Sequence, residues 1–136
     1  MTPSSDAPPS VPFGLSRRCL LVVEDEMLIR LTVSEKLRDA GYEVIEACDA
    51  DEALAVLESA VRVDLIISDV RMPGSIDGLG LLAVVRETSP TLPVIITSGH
   101  LGPTWALADG AAQFLAKPYS MEMMVNAVRD ELEKAP

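Results

Sequence analysis

Five short apolar runs punctuate this chain, and stretches of helical period separate them. Cys19-Leu20-Leu21-Val22-Val23 is unbroken and stops at Glu24-Asp25-Glu26. An apolar run that short, bounded by acids, reads as a strand buried on both faces. In residues 27–40, Ile29, Val33, Leu37 and Ala40 share one helical face, and Gly41 supplies the stop. Residues 42–47 read as the second strand. Asp49 then caps a second helix reaching about residue 60; Glu52 completes a capping box, and Ala53, Leu54 and Leu57 turn inward. The third run, from Val63, ends on Asp69, where Met72-Pro73-Gly74 blocks both a longer strand and an immediate helix.

A third helix is expected over 78–88. Pro90 and Pro93 bracket a turn into a fourth strand over 94–97. A short, weak helix is expected over 104–109 and ended by Gly110, then a fifth strand over 113–116. The last helix, over 121–133, has Ser120 as its cap and Glu122 in its positive first turn. Five strands alternating with five helices through short loops predict an α/β fold: a doubly wound parallel sheet in three layers, α/β/α. The expected strand order is 2-1-3-4-5, with the switch point between strands one and three. Residues 1–16, rich in Pro, Ser and Ala, read as a flexible tail. Residues 17–136 read as one domain.

Composition narrows the function classes. A net charge of −10 disfavours direct binding of nucleic acid. Cys19 and Cys48 stand at no metal-ligand spacing and read as reduced packing residues. No apolar run approaches membrane-span length, and the N-terminus lacks the order of a signal peptide. The expectation is a cytoplasmic protein without a membrane or nucleic-acid partner.

The polar residues that remain are concentrated at strand ends. Strand one ends on Glu24 and Asp25, strand three on Asp69, strand four on Thr97 and Ser98, and strand five on Lys117. In a parallel sheet these carboxyl ends share one edge, where ligands bind. Three carboxylates there repel one another, and a hard divalent cation resolves the conflict; Mg²⁺ suits such a set while keeping positions for waters or a phosphoryl oxygen. Lys117 adds positive charge, and Thr97 or Ser98 adds a hydroxyl. The set reads as a receptacle for a phosphoryl group, with Asp69 as in-line nucleophile.

The acid pair after strand one, the stretch holding Asp69, Met72, Pro73, Asp77 and Gly78, the Thr closing strand four and the Lys117-Pro118 pair together resemble the receiver domain of two-component response regulators. The resemblance covers about residues 18–134. It implies a flavodoxin-like (βα)5 fold and phosphorelay signalling. Asp69 would accept a phosphoryl group from a histidine kinase or a histidine phosphotransfer protein. Glu24, Asp25, Asp69 and the backbone carbonyl of Arg71 would hold Mg²⁺, and Lys117 would pair with Asp69 or the phosphoryl oxygens. Thr97 would move to the phosphoryl group, and Phe114, at the family's switch aromatic position, would turn inward with it. The Lys117-Pro118 bond is often cis in the family. The implied protein is a phosphoacceptor switch, not a conventional turnover enzyme. Its partners would be the kinase and a downstream protein target, with homodimerisation an option. With no output domain after Pro136, the chain reads as a stand-alone receiver or as one cut from a longer protein.

Three departures stand out. The loop over 73–78 has one residue more than the common pattern. Ser98 carries a hydroxyl where a small residue, often Ala, is usual. The segment between Thr97 and Lys117 is about two residues short, which marks the fourth helix and the output face.

The same residues bear on competing readings. An aspartate-nucleophile phosphatase of the haloacid-dehalogenase kind needs a second acid two residues after the nucleophile, where this chain has Arg71. A flavin mononucleotide binder needs a Ser/Thr/Gly-rich phosphate loop where Glu24-Asp25-Glu26 stands. A degenerate receiver acting as a phosphorylation-independent scaffold is the alternative that the short fourth helix keeps. Glu24 as a solvated charge beside a metal-binding Asp25 is a further alternative. Glu26 reads as helix-start charge and His100 as a bland loop residue at the rim. Trp105 reads equally as partner contact or core filler, and at least one of Met121, Met123 and Met124 should face the core.

Overall fold

The computed structural model describes residues 17–100, 107 and 109–134. Five strands form one parallel sheet: β1 (Cys19–Val23), β2 (Glu43–Ala47), β3 (Leu65–Asp69), β4 (Val94–Ser98) and β5 (Gln113–Ala116). Their order is β2-β1-β3-β4-β5, as expected. Four helices are described: α1 (Met27–Asp39), α2 (Ala50–Glu58), α3 (Gly78–Thr88) and α4 (Met121–Lys134). The expected tail, most of the expected short helix, and Trp105 lie outside the described residues.

The period-two alternation of the strands divides the interior. Leu21, Val23, Ile66 and Ile96 point to one face and pack with Ala53 of α2 and Leu81, Leu82 and Val85 of α3. Leu20, Val22, Ile67 and Ile95 point to the other, against Val33 and Leu37 of α1 and Met124, Val128 and Leu132 of α4. Every residue of β1, β3 and β4 is buried. Each large aliphatic side chain so buried contributes roughly 1.5–3 kcal/mol. The acids, hydroxyls and lysine at the strand ends therefore stand on a stiff platform.

Local chemistry sets the element ends. Gly41 has φ +103°, the left-handed conformation that lets α1 stop and turn into β2. Asp49 Oδ1 accepts the Glu52 N–H at 2.8 Å, while Glu52 Oε1 reaches back to the Cys48 N–H at 2.7 Å. The expected capping box thus closes, with its second bond one residue upstream of the cap. Asp77 caps α3 through the Gly80 N–H, and Ser120 Oγ accepts the Met123 N–H.

Some expectations shift. α1 ends at Asp39, so Ala40 is an exposed C-cap, and Ser34 is buried beside Val33 and Leu37. α2 ends at Glu58, where the Ser59 hydroxyl donates back to Val56 O; Leu54 and Leu57 are only half-buried. β4 runs one residue further, to Ser98. Of the three methionines, Met124 is the one fully in the core.

Candidate functional site

Register brings the stations together. β3 and β4 pair with Asp69 opposite Thr97, and β4 and β5 pair with Thr97 opposite Leu115. β1 lies on the other side of β3, with Val23 opposite Ser68, so Glu24 follows directly at the same edge. Lys117 comes down beside them because its backbone N–H donates to Ser98 O at 2.9 Å, continuing the β4–β5 ladder past the strand end. The Lys117-Pro118 peptide bond is cis.

The side chains meet at Lys117 Nζ. It donates to Asp69 Oδ2 at 2.9 Å and to Glu24 Oε1 at 3.3 Å. These contacts span 48 and 93 residues of sequence. The second oxygen of each acid takes a backbone donor: Val70 N–H to Asp69 Oδ1 at 2.9 Å, and Glu26 N–H to Glu24 Oε2 at 3.1 Å. One carboxylate oxygen each from Glu24, Asp25 and Asp69 lie within 4.8 Å of one another.

Asp69 and Thr97 are buried, 8% and 2% exposed. The two acids after β1 divide in the opposite sense to the alternative weighed from sequence: Glu24 is buried at 4%, and Asp25 is the exposed one. The Glu24 N–H pairs with Ala47 O at the end of β2, which holds its backbone at the sheet edge.

Charge and burial oppose each other here. Burial pushes the Glu24 carboxyl above the usual carboxylate range; the Glu26 N–H and Lys117 pull it down, and neighbouring Asp69 pushes it up. Burial of Lys117 favours its neutral form, but its bonds to Asp69 and Glu24 outweigh this and raise its pKa. Tyr119, half-buried next door, is pushed up to about 12 chiefly by desolvation. Three carboxylates thus face one ammonium. Such a set of hard oxygen donors fits an oxygen-seeking divalent cation.

Gly78 is required beside this cluster. A Cβ there would lie 1.9 Å from the Asp69 backbone oxygen. The Gly78 N–H bonds Val70 O at 2.8 Å, so α3 begins in backbone contact with the end of β3. Gly74, at φ +114°, turns the connecting loop, which Ser75 Oγ ties to Asp51 of α2 at 2.8 Å.

Arg71 is exposed, and Phe114 is half-buried against the core on the α2–α3 side. His100 is exposed at the rim, its backbone N–H bound to Ser98 Oγ. Sequence reasoning passed over Arg30, whose guanidinium bonds the Glu24 carbonyl at 2.9 Å and Glu46 at 3.2 Å. The available signal was an Arg one helical turn past the acid pair, with an acid on the neighbouring strand. It also passed over Tyr119 and the apolar groove that Leu28, Ile29, Thr32, Pro118 and Met121 form with it beside Lys117. Among the described residues no helix is long and apolar enough to cross a membrane.

The chain is similar to known proteins in sequence and in fold. The sensor kinase CckA of Brucella abortus is 38% identical over 119 residues, covering 85% of this chain and 12% of that protein. The transcriptional regulatory protein DctD of Rhizobium meliloti is 36% identical over 118 residues, covering 85% of this chain and 25% of that protein. The chain therefore spans a quarter or less of these curated relatives. The crystal structure of the receiver domain of NtrX from Brucella abortus superposes with a TM-score of 0.77 at 36% identity, covering 85% of this chain and 99% of that one. The model of the response regulator receiver domain matches residues 20–129. With the strand order, the strand-end acids and the bridging lysine in place, the chain belongs to the response regulator receiver domain family.

Proposed function

We propose that this domain is a phosphorelay switch that accepts a phosphoryl group on Asp69. The observation that carries the reading is the Lys117 ammonium bound to both Asp69 and Glu24, at 2.9 and 3.3 Å. A buried acid at a sheet edge, with a fixed cation at one oxygen, is placed to receive an anionic group and retain it.

A carboxylate oxygen of Asp69 attacks phosphorus of a phosphohistidine in line. The new O–P bond forms as the N–P bond breaks, and the imidazole leaves with the bonding pair and takes a proton. The carboxylates of Glu24, Asp25 and Asp69 and the backbone carbonyl of Arg71 would hold Mg²⁺, which when bound offsets charge on the phosphoryl oxygens. Lys117 then moves its bond from Asp69 to a phosphoryl oxygen. Thr97, across the ladder from Asp69, donates its hydroxyl to the same group, and Phe114 turns inward to fill the space it leaves. The domain takes part in its own phosphorylation without being a conventional turnover enzyme.

The phosphodonor is a histidine kinase or a histidine phosphotransfer protein, and the groove beside Lys117, with exposed Leu28 in its lining, gives it an apolar footing. A downstream protein reads the Thr97–Phe114 state, and the setting is the cytoplasm. Intact mass after incubation with a small phosphodonor tests the reading. A Mg²⁺-dependent gain of one phosphoryl group, absent in Asp69→Asn, is expected. No gain under any condition would replace it with a phosphorylation-independent binding scaffold.

A further inference from the structure

We infer that Arg30 is a positioning residue for the metal-binding acids, acting on the peptide unit that joins Glu24 to Asp25. The inference rests on the reading of Glu24, Asp25 and Asp69 as a Mg²⁺ site.

Arg30 lies in the first turn of α1, where its backbone N–H donates to Glu26 O at 2.9 Å. Its side chain folds back under the acid loop. Nη1 donates to the Glu24 carbonyl at 2.9 Å, and Nε donates to Glu46 Oε1 at 3.2 Å. Arg38 occupies the other Glu46 oxygen at 3.2 Å. Glu46 stands on β2 opposite Val22 of β1, so the guanidinium is aimed from the sheet itself. The Arg30 side chain is only 16% exposed. A planar guanidinium held at two points leaves its charge-assisted bond to the carbonyl well directed.

The carbonyl it holds matters because of what flanks it. The orientation of the 24–25 peptide plane sets both the Glu24 ψ and the Asp25 φ, and hence the direction in which each acid leaves the chain. Glu24 has other supports: its N–H on Ala47 O, and its carboxylate on Glu26 N–H and Lys117. Asp25 is exposed, and no side-chain hydrogen bond or ion pair among the described residues holds its carboxylate. Its direction is therefore set by the backbone, and Arg30 grips that backbone on the side facing β2. An outer-shell group of this kind typically changes metal affinity about 10–100-fold when removed.

The test is calorimetric Mg²⁺ titration of the full chain, with phosphorylation rate against Mg²⁺ concentration as a second readout. Arg30→Gln is expected to raise the Mg²⁺ dissociation constant about tenfold, while the phosphorylation rate at saturating Mg²⁺ stays within about twofold of the wild type. Arg30→Lys, which keeps the charge but loses the fork, should recover part of the affinity. Glu46→Gln, which frees the guanidinium, should shift affinity in the same direction by a smaller factor and stands in for Arg30→Gln should that variant not fold. Arg38→Gln removes the other half of the Glu46 pair without touching Glu24 and should leave Mg²⁺ binding unchanged. Unchanged affinity in both Arg30→Gln and Glu46→Gln, with only a lower Tm, would overturn the inference and leave Arg30 as a staple between α1 and β2. Calorimetry reads the result even where no phosphoryl transfer occurs, so a failure of the phosphoacceptor reading and a failure of this one give different outcomes.

Discussion

Gly78 and Asp69 touch through their backbones: a Cβ on Gly78 would stand 1.9 Å from the Asp69 carbonyl oxygen and 2.8 Å from its carbonyl carbon. Neither the end of β3 nor the start of α3 can yield independently, because Gly78 N–H is bonded to Val70 O. Gly78→Ala must therefore push α3 away from the acid's own peptide. We expect a loss of about 3 kcal/mol in urea unfolding and weaker Mg²⁺ binding. Gly80→Ala, whose Cβ would meet the Ile76 side chain instead of backbone, should cost less.

Removing the bridging ammonium leaves two buried acids without a countercharge. Lys117→Met should destabilise the metal-free protein by about 1–2 kcal/mol, a figure discounted for the 23% exposure of the lysine. Added Mg²⁺ should recover part of that loss, since a cation among Glu24, Asp25 and Asp69 offsets the same repulsion. Thermal unfolding with chelator and with Mg²⁺ gives both numbers. An equal loss in the two conditions would contradict the charge argument.

The pH dependence of Glu24 has a definite sign. Its carboxyl is raised above 4.5, so the folded protein holds that proton more tightly than the unfolded chain. Stability without metal therefore falls as pH rises from about 4.5 through the raised value, and the full cost is present above it. Glu24→Gln should exceed the wild type in Tm at neutral pH with chelator, and the difference should shrink as pH falls to 4.5 and below. The same variant should bind Mg²⁺ more weakly. A constant Tm difference across pH would show that Glu24 carries no such cost.

Thr97 is 2% exposed and lies beside Asp69 in the ladder. Thr97→Val keeps the shape and removes the hydroxyl donor. It is expected to accept a phosphoryl group on Asp69 while losing the phosphorylation-induced change around Phe114. Mass spectrometry checks the first half, and amide hydrogen exchange across β5 checks the second. A wild-type exchange response in Thr97→Val would remove Thr97 from the switch.

Much of this architecture was legible from patterning. A chain that must bury both faces of a parallel sheet leaves unbroken runs such as Leu65-Ile66-Ile67, and a parallel sheet with short crossovers has few orders open to it. Because strand ends share an edge, the sequence alone places Glu24, Asp25, Asp69, Thr97 and Lys117 together. The caps at Asp49 and Ser120 follow equally local rules.

What patterning left undecided depends on contacts between distant residues. Helical spacing assigns Ala40 to the inner face, but α1 stops one residue earlier and leaves it exposed, while Ser34 is buried beside Val33 and Leu37. Adjacent acids are equivalent as letters; the contacts of Glu24 to Ala47 O on β2, to Lys117 and to the Glu26 N–H accompany its burial, while Asp25 stays exposed. The need for glycine at position 78 arises from how closely α3 approaches β3. The grip of Arg30 arises from a carbonyl on one loop and a carboxylate on β2 meeting one guanidinium. Sequence determined which residues gather at the sheet edge, because that follows from periodicity and chain direction. Tertiary structure decided which of them are buried, which are paired and which are held, because desolvation and hydrogen bonding act only once the distant partners stand within about 3 Å.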